Sequence, residues 1–325
     1  MRRIAITGSG SFLGGRLLRR LVEARGGDGV VAVDLAPPPA ALESRHRRVD
    51  LTEPASDEAL LRVFREERVD TLAHFAFFTN PRRDTGYAHE LESIGTLSLM
   101  AAAAAAGVKR VILRSFTALY GARGQNPNFL TEEHPLQAGR SLGWLQDKLE
   151  AEQHAASFAR RYPEMSVTVL RFAPLFGPEA RTFYTRVFDK RVVPVLMGFD
   201  PLLQLLHPDD ATSAALRAME APVTGAFNIV PKAPIPLQAA LHLAEKLPVP
   251  VPHPIAYAAC ELLWAAGLTE APAGFLDYVR YLCVADGARA ERELGFRPRY
   301  SSREALLAYL RYRHPEPAGA REATA

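Results

Sequence analysis

The glycine-rich stretch ITGSGSFLGG, residues 6–15, constrains the fold of this chain more than any other feature. It follows an apolar β-type run and opens a helical pattern, so it joins a strand to a helix. Gly8, Gly10 and Gly14 would let the backbone turn tightly and approach a pyrophosphate, whose charge is met by amide groups at a helix N-terminus. Because such a glycine trio also fits an ordinary turn, it predicts a dinucleotide site only with further support.

Asp34 supplies that support. It ends the second apolar run, VVAVD, twenty residues after Gly14, where a carboxylate can accept hydrogen bonds from an adenosine ribose. The same charge would repel a 2′-phosphate, and no arginine follows until Arg45. The sequence therefore predicts NAD rather than NADP.

Short apolar runs alternate with helical stretches through the first two thirds of the chain, which predicts βαβ units and a parallel sheet. The alanines at 101–106, followed by Gly107, predict a helix that lies close against that sheet and ends at the glycine. The fold class is thus α/β, a doubly wound parallel sheet with a smaller C-terminal domain. The runs are RIAITG (3–8), VVAVD (30–34), VDTLAHFAF (69–77), KRVILRS (109–115), SVTVLRF (166–172) and GAFNIV (225–230).

The alternation fades in the proline-rich sequence after residue 231. We expect a nucleotide-binding domain over 1–175 plus 205–231, and a substrate-binding domain over 176–204 plus 232–313. Residues 314–325 have nothing to bury and are expected to be a disordered tail.

Composition excludes several classes of protein. The net charge is +3, but arginines are spread along the chain rather than gathered in a stripe, so nucleic acid is not an expected partner. The longest apolar segment, 255–268, contains Glu261 and is too short to span a bilayer, and the N-terminus lacks the pattern of a secretory signal. Cys260 and Cys283 are too few for a disulfide framework or a four-ligand zinc site. We expect no membrane partner and a cytoplasmic location.

Further pieces follow the glycine-rich turn in a recognisable order, and with them the chain resembles the extended short-chain dehydrogenase/reductases of the NAD-dependent epimerase/dehydratase type over nearly its whole length. They are TGSGSFLG (7–14), VDL (49–51), AHFAF (73–77), GT (95–96), GVKRVI (107–112), LYG (119–121), KLEAE (148–152), LRFAPLFGP (170–178), LLHPDDA (205–211), FNI (227–229) and ARAERELGFRPRY (288–300).

The resemblance implies a Rossmann domain that binds NAD, a small-molecule substrate and a homodimer. Ser11 stands at the position of the family's usual middle glycine, where its hydroxyl would touch a phosphate or its bulk would displace the cofactor. The residues that the resemblance places around the cofactor are Phe12 and Leu13 by the pyrophosphate, Asp50 and Leu51 by the adenine, Phe75, Ala76 and Phe77 along the adenosine, Lys148 at the nicotinamide ribose and Ala173 by the nicotinamide.

The same resemblance shows that the usual catalytic pair is replaced. The family has a tyrosine acid/base four residues before its lysine and a serine or threonine four residues before the YG tyrosine. Here these positions hold Trp144 and Phe116, neither of which offers a usable proton. Glu92 and Pro174 likewise stand where the family usually has asparagine. We expect Phe116 and Trp144 to form an apolar wall beside the nicotinamide, with ordinary aromatic core as the alternative.

Other groups near these positions have structural explanations as well as catalytic ones. Ser115, Thr117, Tyr120, Ser141 and Asp147 are candidates to carry the proton, but Tyr120 belongs to the YG turn and Asp147 is expected to face solvent.

Two histidine-containing segments also have structural explanations. His207, Asp209 and Asp210 lack a second metal ligand at helical spacing, so no metal is expected, and Asp210 is a candidate helix N-cap. His74, at a strand end, is expected to be a buried histidine whose hydrogen bonds are satisfied.

Three functions remain open from the sequence. The first is an NAD-dependent oxidoreductase or epimerase that acts on a small, partly apolar substrate by a non-standard mechanism. The second is a catalytically inactive dinucleotide-binding sensor or regulator, and the third a non-redox enzyme that reuses the pocket. We favour an enzyme of the first kind because Asp34, Lys148 and the segment 288–300 retain both halves of the cleft.

Overall fold

The computed structural model describes residues 3–138, 142–269 and 271–314. Within them, seven strands form one sheet in the order β3-β2-β1-β4-β5-β6-β9, and every neighbouring pair is parallel. The strands are β1 Arg3–Thr7, β2 Val30–Val33, β3 Arg45–Arg47, β4 Val69–His74, β5 Arg110–Phe116, β6 Ser166–Phe172, β7 Val192–Leu196, β8 Leu202–Leu203, β9 Gly225–Ile229, β10 Ile235–Pro236 and β11 Leu247–Val251.

The helices connect these strands and cover the sheet. A π-helical segment, Glu90–Ile94, lies between α3 and α4, and short 3₁₀ turns cover Gly27–Gly29, Thr117–Tyr120 and Ala273–Val279. The α-helices are α1 Phe12–Arg25, α2 Ser56–Glu66, α3 Thr85–His89, α4 Gly95–Ala106, α5 Gly143–Arg161, α6 Phe183–Asp189, α7 Pro208–Glu220, α8 Leu237–Leu243, α9 His253–Ala265, α10 Ala288–Leu294 and α11 Ser302–Arg313.

Both faces of the sheet are buried, as the nearly continuous apolar runs predict. Successive side chains of a strand point to opposite faces, so in β5 Ile112 packs in the core under α1 and α7, whereas Val111 and Leu113 pack under α2, α4 and α5. The α/β doubly wound fold predicted from the sequence is thereby confirmed. α4 ends, as predicted, at Gly107, whose φ of 72° lies in the left-handed region that favours glycine.

Besides the two apolar cores on the faces of the main sheet, a third apolar core lies apart from it. It contains Phe176, Val193, Leu205, Leu241 and Leu306, and it is flanked by the parallel pair β7–β11 and the antiparallel pair β8–β10. Most of this core falls in the segments assigned to the substrate-binding domain. The exact domain bounds stay a prediction, and of the expected tail only His314 is among the described residues, since 315–325 lie outside them.

Within the described ranges, no helix combines the length and the apolar character needed to cross a membrane. The expected homodimer and cytoplasmic location stay predictions.

Candidate functional site

The glycine-rich turn brings β1, β4 and α1 into close contact. Gly8 has a φ of 71°, and a Cβ there would lie 2.5 Å from the backbone nitrogen of Ala76, which follows β4. A Cβ on Gly14 would lie 2.1 Å from the carbonyl oxygen of Gly8. Both positions therefore require glycine, one for the turn and one for the packing of the helix against the strand.

The N-terminus of α1 presents free donors at this turn. Ser11 caps the helix, because its Oγ accepts a hydrogen bond from the Gly14 amide at 3.1 Å. Among the described residues, the amides of Phe12 and Leu13 have no hydrogen-bond acceptor. Two unpaired N–H groups at a helix N-terminus suit a phosphate. Ser11 thus has a structural role that the sequence analysis did not identify.

Asp34 lies directly beside this turn. Its Oδ2 accepts the amide of Gly10 at 2.8 Å, and its Oδ1 accepts the amide of Leu35 at 2.7 Å. A carboxylate has about four lone-pair sites, so acceptor capacity remains for a ribose hydroxyl.

Of the other residues assigned to the adenosine side, Phe75, Ala76 and Phe77 follow β4, and Asp50 and Leu51 lie between β3 and α2. Leu51, Phe75 and Phe77 are buried, while Ala76 and Asp50 are partly exposed. Asp50 fixes its own loop by accepting hydrogen bonds from the amide and hydroxyl of Thr52. Their contact with a cofactor stays a prediction.

Phe116 and Trp144 contact each other, with ring centroids 6.0 Å apart, and we call this pair the aromatic wall. Phe116 is the last residue of β5, and Trp144 lies in the first turn of α5. Both rings are buried, and both line a cavity at the carboxyl ends of β5 and β6. The same cavity is lined by Thr79, Arg114, Ala173, Pro174, Thr182 and Tyr184.

Lys148, one turn further along α5, is buried under the aromatic wall. Its Nζ lies 4.2 Å from the centroid of the Trp144 ring and 5.2 Å from that of Phe116. It donates hydrogen bonds to both carboxylate oxygens of Glu92, at 2.7 and 2.5 Å. Burial lowers the pKa of Lys148 to about 8, although the Glu92 carboxylate favours the charged form. Glu92 comes from the π-helical segment, a type of distortion frequent at functional sites.

Arg114 is a second buried cation, and it lines the cavity. Its guanidinium donates to the carbonyl oxygen of Phe77 at 3.3 Å and to Thr79 Oγ1 at 2.8 Å, and its Cζ lies 4.9 Å from the Phe116 ring. Burial lowers the pKa of Arg114 to about 10. Arg114 is not among the site residues predicted from the sequence, although a charged residue inside an otherwise apolar strand indicates a buried ion.

Most of the candidate proton carriers are held in other contacts. Ser115 donates to Glu152, and Glu152 also pairs with Arg171 at 2.7 Å. Arg171 in turn bonds the hydroxyl of Tyr120, which donates to Asn228 at 2.8 Å. Thr117 is buried, and Ser141 lies outside the described residues.

Asp147 does not face solvent, so that prediction is wrong. It is buried and bonds His89 Nδ1 at 2.8 Å, because α3 packs against α5 and closes over this turn. Its pKa is raised by burial, against the opposing effect of His89.

Asp210 is not a helix N-cap. His207 caps α7 instead, and the Asp210 carboxylate, in the first turn, accepts the amides of Arg299 and Tyr300 at 3.0 Å each. The Asp210 carboxylate therefore accepts backbone amides from a distant segment instead of the amides of its own helix, as an N-cap would. His74 behaves as predicted, since its two ring nitrogens bond Thr7 Oγ1 at 2.6 Å and Thr96 Oγ1 at 2.9 Å in a fully buried site.

Residues 4–230 match the model of the NAD dependent epimerase/dehydratase family. The chain belongs to the NAD-dependent epimerase/dehydratase family. This confirms the family resemblance, the enzyme class and the cofactor predicted from the sequence, at the level of the family.

Individual relatives extend over most of the chain. An uncharacterized protein of Mycobacterium tuberculosis is 34% identical over 318 residues, which cover 97% of this chain and 85% of that protein. A 3-diazoavenalumate denitrifying reductase of a Streptomyces species is 29% identical over 275 residues, 78% of this chain and 84% of that protein. The solved structure of MoeE5 in complex with UDP-glucuronic acid and NAD has a TM-score of 0.75 at 23% identity, covers 96% of this chain and 98% of that one, and shows the shared fold.

Proposed function

We propose that the protein is an NAD-dependent reductase of a small, partly apolar substrate that takes up hydride without a proton from the usual side chains. The contact between Phe116 and Trp144, at 6.0 Å between ring centroids, carries this proposal. The rings stand where the family resemblance puts a hydroxyl and a phenol, and they line the cavity together with Ala173 and Pro174.

The residues of the cleft fit the cofactor. The amides of Phe12 and Leu13 would hold the pyrophosphate, and Asp34 would accept a ribose hydroxyl. The weakest hydrogen bond of Lys148, to the carbonyl oxygen of Trp144 at 3.5 Å, involves the N–H that would turn to a nicotinamide-ribose hydroxyl. When bound, NADH supplies a hydride. Glycines at positions 8 and 14 keep the backbone close enough for the contacts at the turn.

The aromatic wall removes the usual acid and excludes water from the reacting centre. Among the described residues that line the cavity, Tyr184 carries the one phenol, and burial raises its pKa, which makes it a poorer acid. The hydroxyl of Thr79 accepts a hydrogen bond from Arg114. This environment suits a substrate whose reduction requires no proton transfer.

The name of the Streptomyces relative indicates such chemistry, since it describes a reductase that removes nitrogen from a diazo compound. At a diazonium carbon, a hydride forms the C–H bond while the C–N bond breaks. Dinitrogen leaves with the electrons of the broken bond, and no proton is exchanged. We therefore assign an aryl diazonium, or an electrophile of the same kind, as the substrate class.

The test is isotope transfer from NADH that carries deuterium at C4 in either the R or the S position. With benzenediazonium as substrate, the protein should place deuterium in the product benzene from one of the two cofactors only. Uncatalysed reduction, measured without protein, should use both. Transfer from both cofactors at the uncatalysed rate would overturn the proposal.

The variant Tyr184→Phe tests the proton-free step. Its turnover of benzenediazonium should stay within about threefold of the unmodified protein, because no phenol proton is used. A loss of about 10²–10⁴-fold, the size of a general-acid contribution, would identify Tyr184 as a relocated acid and contradict the proposed chemistry.

One observation favours a second function, a non-catalytic dinucleotide sensor. The retained Lys148 is held by Glu92 instead of lying beside a tyrosine. For a sensor, NAD would bind at micromolar concentration, and the isotope experiment would show no protein-dependent transfer.

A further inference from the structure

Arg114 is buried without an ion-pair partner. Its side chain is 2% exposed, and no carboxylate of the described residues lies within salt-bridge distance of its guanidinium. Its Nε has no hydrogen-bond partner, while the two terminal nitrogens donate to a carbonyl and a hydroxyl, both uncharged. A buried arginine without an adjacent anion is costly, and here Glu92, which lies beyond salt-bridge distance, only partly offsets the desolvation of the charge.

Trp144 has a second unpaired donor on the same cavity. Its indole Nε1 is buried and has no partner among the described residues. Trp144 and Arg114 both line the cavity, and both contact the ring of Phe116. Buried donors in folded proteins nearly always have an acceptor, so two unpaired ones on one cavity indicate a ligand that supplies acceptor oxygens.

The charges of the surrounding groups leave room for one anion. Glu92 is occupied by Lys148 at 2.5 Å and by the amide of Phe78 at 2.6 Å. Lys148 is favoured in its charged form by Glu92 and Asp147, whereas Arg114 is favoured by Glu92 from beyond salt-bridge distance, so Arg114 has no anion of its own among the described residues. The rest of the lining is apolar or carries hydroxyls, which suits an aromatic body better than a highly charged diphosphate.

We propose that this cavity binds a carboxylate group of the substrate, with Arg114 as its ion-pair partner and Trp144 Nε1 as an additional donor. The inference rests on the proposed function, in that the cavity is taken as the substrate pocket. The planar guanidinium matches the geometry of a carboxylate, so the substrate class becomes an aromatic carboxylic acid that carries the electrophilic group.

The experiment compares benzoate with benzamide, which has the same shape and no charge, by calorimetric titration at saturating NADH. The protein should bind benzoate at least about tenfold more tightly, the scale of a hydrogen bond to a charged group. Arg114→Gln should reduce this ratio to near one. Arg110→Gln is the matched control, because Arg110 lies at the other end of β5 and bonds the carbonyl oxygen of Met219. It should leave the ratio unchanged.

A second variant keeps the test decisive if Arg114→Gln fails to fold. Trp144→Phe keeps an aromatic ring and removes only the indole donor, so benzoate binding should weaken about threefold or more while benzamide binding changes less. Equal affinity of the unmodified protein for benzoate and benzamide would overturn the proposal. It would also fall if Arg114→Gln weakened NADH binding and left the benzoate preference intact, since the donors would then serve the cofactor.

The outcome is separable from that of the proposed function. A benzoate preference without stereospecific deuterium transfer would support the carboxylate site and contradict the proposed reductase activity. Stereospecific deuterium transfer without a benzoate preference would support the reductase activity and contradict the carboxylate site.

Discussion

Lys148 Nζ lies 2.5 Å from Glu92 Oε2, and both side chains are almost completely buried. The pair joins the first turns of α5 to the π-helical segment and lies under the rings of Phe116 and Trp144. Burial raises the pKa of Glu92, and Lys148 opposes that rise. Each charge is therefore tolerated in the interior only because the other is present.

Removing one partner of the Glu92–Lys148 pair should lower the free energy of unfolding far more than removing both. We expect Glu92→Gln to lower the free energy of unfolding by about 3–5 kcal/mol, because it leaves a buried ammonium unpaired. The double variant Glu92→Gln with Lys148→Met should recover most of that loss. Urea denaturation followed by circular dichroism measures both. Glu293→Gln, which breaks an exposed pair with Arg289, is the control and should cost less than about 1 kcal/mol. Additive effects at Glu92 and Lys148 would show that the two charges do not depend on each other.

Asp34 should determine the choice between NAD and NADP. In calorimetric titrations NAD should bind more tightly than NADP, and Asp34→Ala should narrow the difference, since the carboxylate accepts from the ribose and repels a 2′-phosphate. Asp28→Ala, at an exposed aspartate paired with Arg45, should leave the difference unchanged. Equal affinities of the unmodified protein for NAD and NADP would contradict the expected contact between Asp34 and the ribose.

The aromatic wall should be required for turnover. Phe116→Ser combined with Trp144→Tyr restores the residue types usual in the family and places polar groups against an apolar ligand without partners. We expect reduction of benzenediazonium to fall at least about tenfold while the fold is retained. Phe116→Leu, which keeps the position apolar, should lose less of this activity than the double variant. A double variant with full turnover would show that the rings serve packing alone.

His74 should make stability depend on pH. Burial lowers its pKa from the ordinary 6.5 to about 3 in the folded protein, so between these values the unfolded chain binds a proton and the folded protein does not. Its contribution therefore weakens the fold as pH falls from 6.5 towards 3, by up to about 1.4 kcal/mol per pH unit, and is absent above pH 6.5. Urea denaturation of the protein and of His74→Asn between pH 4 and 7 should show a smaller slope for the variant. Parallel curves would contradict the assignment.

Local patterns in the sequence were enough to predict six of the seven strands of the main sheet, but not β3 or the strands outside that sheet. The six apolar runs correspond to β1, β2, β4, β5, β6 and β9, because a strand buried on both faces must be apolar throughout. The charged RHR run of β3 and the proline-containing β7, β10 and β11 carry no such signal. The pairing of β10 with β8 and of β11 with β7 also depends on neighbours far along the chain.

The sequence by itself determined the turn at Gly8, and it predicts the ribose contact of Asp34 and the replacement of the family's usual catalytic pair by Phe116 and Trp144, since each depends on the identity of a residue at a fixed spacing. Only the tertiary structure decided which charges meet: Glu92 with Lys148, Asp147 with His89, and Arg114 with no acid among the described residues. The physical reason is that the energy of a buried charge depends on its distance to others and on its exposure. Distance and exposure are set by how distant segments pack, and the spacing of residues along the chain does not predict them.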